Sequence, residues 1–189
     1  MLAKPSIPIP VQLNAADTAI SNALDSPAIL KRLTENGYTE ARINEGQKLY
    51  QTALLSVKAH RALIEARRDR ETSSGKISKN AYEAYQSLAK VVREIWQEDR
   101  EQLQSLGVPD RLPPATEGFL DAAKTLFDAP LKDQEFMDIL AGLGYPKLLL
   151  ATERTKIDDL EKMLRDGENS EKEIRAADQE QQLALKTLN

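Results

Sequence analysis

Residues 29–43 read ILKRLTENGYTEARI, and residues 136–150 read FMDILAGLGYPKLLL. Each stretch carries apolar residues at helical spacing, then a Gly-Tyr pair, then a new apolar-periodic run. At a constant offset of 107 residues, Leu30 falls on Met137, Leu33 on Leu140, Gly37 on Gly144, Tyr38 on Tyr145 and Ile43 on Leu150. The glycine marks a helix end, because it adopts positive φ without a Cβ penalty, and the tyrosine after it is placed to pack back on the last turn. The same offset sets Leu13 on Leu120, Ala15 on Ala122, Ala16 on Ala123 and Thr18 on Thr125. Asp25-Ser26-Pro27 echoes Asp128-Ala129-Pro130, with a four-residue insertion in the second copy. Self-similarity at a fixed offset points to internal duplication.

Outward from these stretches, the periodicity is helical throughout. A first helix is expected from Asn14, its N-cap, to Leu24, and Pro27 opens a short second helix presenting Ile29, Leu30 and Leu33. Thr39 caps a long third helix to Glu71, with a seam of Ile43, Gln47, Tyr50, Leu54, Val57, Arg61 and Ile64 in the alternating four-three rhythm of coiled coils. Thr72-Ser73-Ser74-Gly75-Lys76 reads as a turn. Ser78 then caps a fourth helix ending at Gly107, with seam Ala81, Tyr85, Leu88, Val92, Ile95, Asp99, Leu103 and Leu106. A short loop between long arms predicts an antiparallel helical hairpin. The second copy follows the same order, with a helix from Thr116 to Asp128, a short helix, a longer helix from Pro146 to Gly167, and a last helix opened by Ser170.

The expected fold is therefore all-α, a helical bundle of two related repeats, each with short helices followed by a long antiparallel hairpin. Residues 1–12, with prolines at 5, 8 and 10, form an extended arm. Residues 13–107 form the first repeat, 108–115 a Pro-rich linker, and 116–189 the second repeat, packed with the first as one domain.

Composition narrows the function classes. Of the 189 residues, 41% are apolar and only 5% aromatic, so the core is filled mainly by Leu, Ile, Val and Ala. A net charge of −4, from 26 basic and 30 acidic residues, speaks against a general nucleic-acid binder. With no cysteine, disulfides, thiol nucleophiles and thiolate metal sites are excluded, and a reducing, cytoplasmic setting fits. The longest local apolar run, 148–151, is far below the ~20 residues that span a bilayer, so no membrane partner is expected. Met1 to Val11 lacks the charged-then-apolar pattern of a signal peptide.

Candidate chemistry is sparse. Glu94, Glu98 and Glu101 share a helical face, but it points away from the apolar seam, as a solvated face does. A di-iron bundle needs Glu-x-x-His on two helices, whereas the only histidine, His60, has Val57 three residues before it. No metal and no cofactor is expected, and Walker or Rossmann glycine loops are missing. Trp96 and Tyr85 read as core fillers. Polar residues on apolar seams are the informative departures. Asp99 pairs with the Tyr50 hydroxyl if the turn centres near Gly75, Arg61 falls nearer Leu88, and Glu153 and Gln181 interrupt the second-half seams. Tyr50, Arg61, Asp99 and Glu153 are thus the candidate lining of a ligand cavity between hairpins. Arg67, Arg68, Arg70, Lys76 and Lys79 make the first hairpin's tip basic, a docking patch for an acidic partner or a phosphate backbone. The leading function is a non-catalytic interaction or scaffold protein that binds a protein partner or self-associates. The alternative is a small-molecule-binding bundle, and an enzyme ranks third because no spacing brings nucleophile and base together.

Overall fold

The structure, a computed structural model, describes residues 7–97, 99–113 and 116–188. Among them every regular element is an α-helix: α1 (Ile9–Asp25), α2 (Pro27–Glu35), α3 (Glu40–Ile95), α4 (Arg100–Ser105), α5 (Thr116–Lys132), α6 (Gln134–Gly142) and α7 (Lys147–Leu188). None is long and apolar enough to cross a membrane.

The expected hairpins are single helices. Residues 72–76 lie inside the 56-residue α3, and 167–170 lie inside the 42-residue α7. The serine and threonine hydroxyls that suggested a turn bond backward along the helix instead. Thr72 Oγ1 donates to Arg68 O at 3.0 Å, Ser73 Oγ to Arg70 O at 3.0 Å and Ser74 Oγ to Glu71 O at 2.8 Å. Such back-bonding satisfies each hydroxyl without leaving the helix. Gly75 weakens the run by only about 1 kcal/mol relative to alanine, too little to break a helix supported by packing on both sides of it.

Three further boundaries moved. Pro130 does not stop α5; it lies in that helix's last turn, with its ring buried in the core. There it forfeits the backbone hydrogen bond to Leu126 and crowds that carbonyl, a cost that burial of its ring in the core offsets. The break comes at Asp133, whose Oδ1 accepts from Phe136 N at 3.2 Å as the N-cap of α6. Helix α1 begins at Ile9 rather than Asn14, with Pro8 as its N-cap and Pro10 in the first turn, where no intrahelical N–H is missed. The arm expected over residues 1–12 is thus helical from Ile9, and its residues 1–6 lie outside the described residues. Finally, α3 ends at Ile95, and Asp99 caps the short α4, its Oδ1 accepting from Gln102 N at 2.9 Å. Asp99 is therefore not on a helical seam.

With Pro130 read correctly, the four-residue insertion disappears. Helices α1 and α5 start at Ile9 and Thr116, α2 and α6 at Pro27 and Gln134, and α3 and α7 at Glu40 and Lys147, so all three pairs keep the 107-residue offset. Caps follow the same rule. Ser26 Oγ accepts from Ile29 N, as Asp133 accepts from Phe136 N. Tyr38 N bonds Leu33 O at 2.9 Å, and Tyr145 N bonds Leu140 O at 2.8 Å. Both bonds close over a glycine in the left-handed region, Gly37 at φ +86° and Gly144 at φ +91°. This is the six-to-one closure of a Schellman end.

The chain divides into two compact units, one formed by residues up to Arg67 together with those from Ser170, the other by Arg68–Asn169. Unit 1 holds α1, α2, residues 40–67 of α3 and residues 170–188 of α7. Its core is small: Leu13, Ala53 and Leu185, with Ile9, Tyr50, Leu54, Val57, Ala184 and Leu188 packed around them. The pair Arg67–Glu171, at 2.8 Å, joins α3 to the start of this α7 segment, so the two run antiparallel in unit 1.

Unit 2 holds α4, α5, α6, residues 68–95 of α3 and residues 147–169 of α7. Its core is far larger, with Tyr85, Leu88, Val92, Leu126, Phe127, Leu140 and Ile157 almost wholly buried. Each fully buried Leu or Ile contributes about 1.5–3 kcal/mol of transfer free energy. Val108, first residue of the expected linker, is buried in this core too. The turn before it is tight. Gly107 has φ +78°, a Cβ there would stand 2.2 Å from Ala122 O, and the Tyr85 hydroxyl donates to Gly107 O at 2.8 Å.

Candidate functional site

The short helix α2 of unit 1 buries none of its residues, whereas α6 of unit 2 buries Phe136, Met137 and Leu140. Helix α2 carries Ile29, Leu30 and Leu33 at spacings that put them on one side, yet no residue of the helix is buried. Ile29 is 43% exposed, and Tyr38, just past the helix end, is 49% exposed with the Arg42 guanidinium 5.2 Å over its ring. Ile20 of α1 and Ile43 of α3 are half-buried. At the same offset in unit 2 stand Phe136, Met137, Leu140, Phe127 and Leu150, all buried. An uncovered apolar face flanked by polar residues is the usual mark of a binding surface.

The residues nominated from sequence do not form one group. Tyr50 and Arg61 belong to unit 1, Asp99 and Glu153 to unit 2. The acidic neighbour of Tyr50 is Asp17 of α1, not Asp99. Partial burial first, and then the neighbouring Asp17 carboxylate, raise its phenol pKa above the ordinary tyrosine value. Arg61 is exposed and pairs with Glu65 at 3.1 Å. Glu153 accepts from Lys156 Nζ through both oxygens at 2.7 Å and lines a shallow hollow with Tyr145, Glu83 and Ser87. Burial, and then Glu153, raise the Tyr145 pKa.

The basic group sits along one helix, since no hairpin tip exists. Arg67 pairs with Glu171, and Lys79 approaches Glu83 at 3.8 Å. Arg68 and Lys76 are exposed, while Arg70 lines a hollow with Asp159 and Asp166. Arg70 and Lys79 are nine residues apart, about 180° around an α-helix, so they face opposite ways. Glu94 and Glu101 are exposed, and Glu98 lies outside the described residues. Among the described residues no group of carboxylates or histidine is arranged to hold a metal ion.

Other polar contacts are structural ties within unit 2. Arg154 of α7 donates to Asp128 of α5 at 3.0 Å and also binds Asp158. Burial works to lower its pKa, but the two aspartates outweigh it and the net shift is upward. Lys124 of α5 holds Glu161 of α7 at 2.7 Å, and Arg165 adds a second contact at 2.9 Å. The Lys124 hydrogen bond is the largest influence that keeps the Glu161 carboxyl below its ordinary pKa. In unit 1 Gln181 is buried with its Oε1 lacking a partner among the described residues. These pairs join helices and orient no nucleophile against a base.

Sequence reading placed Ile29, Leu30 and Leu33 on one helical face and so missed that Ile29 is exposed and that Leu30 and Leu33 are only half-buried. The available signal was size: at the 107-residue offset Ile29, Ile20 and Ala19 match the bulkier Phe136, Phe127 and Leu126. Comparison with family models, curated proteins and solved structures finds no match.

Proposed function

We propose that the chain is a non-catalytic helical interaction or scaffold protein, working in the cytoplasm and binding a protein partner or a second copy of itself. The constant 107-residue offset of helix starts supports reading it as a duplication. Each repeat is then two short helices followed by one long helix rather than a hairpin. The observation that carries the functional reading is α2, an amphipathic helix with no buried residue. Docking another helix on such a face reuses ordinary helix packing. The test is capture from lysate by wild-type protein and by an Ile29→Asp/Leu33→Asp variant, with helicity and melting checked for both. The expected result is a retained set of proteins, or self-association in sedimentation, that the variant loses. Identical capture and identical sedimentation by the two proteins count against the reading.

A second reading, a small-molecule-binding bundle, draws on a hollow of about 520 Å³ in unit 2 lined by Lys79, Tyr82 and Phe119 among others. A cation beside two aromatic rings suits a small aromatic anion. Binding raises the melting temperature by linkage. A metabolite screen with no thermal shift, or one whose shift survives Tyr82→Ala, dismisses it.

A further inference from the structure

The hollow of about 520 Å³ in unit 2 has two unlike ends. Ser78, Lys79 and Tyr82 line it from one side of α3, since residues three and four apart are neighbours on a helix. Helix α5 contributes Thr116 and Phe119, again three apart. Tyr82 meets Phe119 with ring centroids 5.8 Å apart and planes tilted by 41°. One turn further along α3, the Tyr85 hydroxyl bonds Gly107 O, and Gly107 lies against Ala122, one turn further along α5. The two helices therefore run in the same sense here, and their polar residues fall at the same end. That end carries the Ser78 and Thr116 hydroxyls and the Lys79 ammonium. The other is apolar, with Phe119 and Leu160 buried and the Tyr82 ring 44% exposed.

We infer that this hollow takes a flat aromatic monocarboxylate, its ring against Tyr82 and Phe119 and its carboxylate at Lys79, Ser78 and Thr116. This inference rests on the small-molecule reading above and fixes the ligand's charge, its anionic group and its orientation. Charge sets the class. Lys79 is the single charged residue among the described lining residues, and Glu83 draws on it from 3.8 Å. One shared ammonium balances one negative charge. The second charge of a phosphate ester would go unpaired, with Glu83, and Glu117 next to Thr116 in the first turn of α5, to repel it. Two hydroxyls and an ammonium supply donors for both oxygens of a carboxylate. Shape sets the body. A flat ring laid against the open side of Tyr82 buries aromatic area that now meets water. A neutral aromatic gains the same ring contact, so Lys79 alone separates the two.

The experiment titrates the full chain with naphthoate, with its neutral amide and with naphthyl phosphate, each followed by its own fluorescence. Mildly alkaline pH gives the phosphate two charges. The expected result is saturable one-to-one binding of naphthoate, with the amide at least about tenfold weaker and the phosphate no tighter. Lys79→Met brings naphthoate down to the level of the amide. Tyr82→Leu, which keeps apolar bulk and removes the ring, weakens both. Lys147→Met, outside the hollow, changes neither. Melting is checked for each variant, and if Tyr82→Leu fails to fold, Lys79→Met at its exposed position decides alone. An amide as tight as naphthoate, or a preference that survives Lys79→Met, overturns the inference and leaves the small-molecule reading standing for a neutral ligand. A tighter phosphate overturns the single-charge assignment. No saturable binding of any of the three up to ~1 mM overturns the inference outright. The small-molecule reading falls with it only if the metabolite screen is silent as well.

Discussion

Leu33 of unit 1 and Leu140 of unit 2 stand 107 residues apart, each one residue before the last of the carbonyls that close its helix end, yet Leu140 is fully buried and Leu33 is not. Local sequence made the same helix, the same cap and the same glycine turn in both. What differs is the third layer: unit 2 has Trp96, Leu106 and Val108 over its short helices, and unit 1 has no such cover among the described residues. A helix end is thus written locally, whereas burial is decided by what another segment brings.

The largest effect tests this directly. Leu140→Ala opens a cavity in a closed core and is expected to lower stability by about 2–5 kcal/mol in urea denaturation. Leu33→Ala, half-solvated already, should cost only about 1 kcal/mol; equal losses would end the distinction between the units. Next comes the turn before Val108. Gly107→Ala and Gly144→Ala both meet left-handed strain of about 1–2 kcal/mol, but an added Cβ at Gly107 also strikes Ala122 O, whereas Gly144 faces open space. Gly107→Ala should therefore be worse by a further ~1–3 kcal/mol, read as a difference in melting temperature between the two variants. Tyr85→Phe leaves Gly107 O without its buried donor and should cost about 1–3 kcal/mol. A loss near zero would show that water replaces the hydroxyl.

Smaller effects sharpen the long helices and the pairs between them. Gly75→Ala should stabilise by about 0.5–1 kcal/mol, because the position is helical with open space around it. Destabilisation would restore the turn at 72–76. The least effect is acidic. Glu161, held below its ordinary pKa mainly by Lys124, contributes stability that is complete above the unfolded carboxyl value of 4.5 and fades as pH falls through the lowered folded value. Lys124→Met should flatten the acid limb of the melting-temperature profile while leaving the neutral limb in place. In unit 1 Asp17 stands where Lys124 does, beside the Tyr50 phenol.

Much of this was legible in the residues. Helical periodicity, the Gly-Tyr ends and the 107-residue offset all name real features of the chain. The misreadings share one cause. Thr72 to Gly75, Pro130 and Asp99 each carry local chemistry that suits two conformations, and the choice is made by packing elsewhere along the chain. Ser and Thr hydroxyls cap or back-bond; a proline stops a helix or rides in its last turn; an aspartate interrupts a seam or starts a new helix. The candidate site was the least legible part. Ile29, Leu30 and Leu33 look the same in sequence whether buried or partly open, and only the bulkier residues 107 positions later hint at the difference.

Unit 1 takes α1, α2 and a stretch of α3 from before the 108–115 segment and a stretch of α7 from after it, while unit 2 takes a stretch of α3 and α4 from before it and α5, α6 and a stretch of α7 from after it. A single protease nick in that segment would consequently release neither unit. Each would persist as a non-covalent pairing of two fragments, held by its own core, and only denaturant would part them. Complementation between separately made fragments, and not independent folding of either, is the behaviour such an interlaced chain imposes.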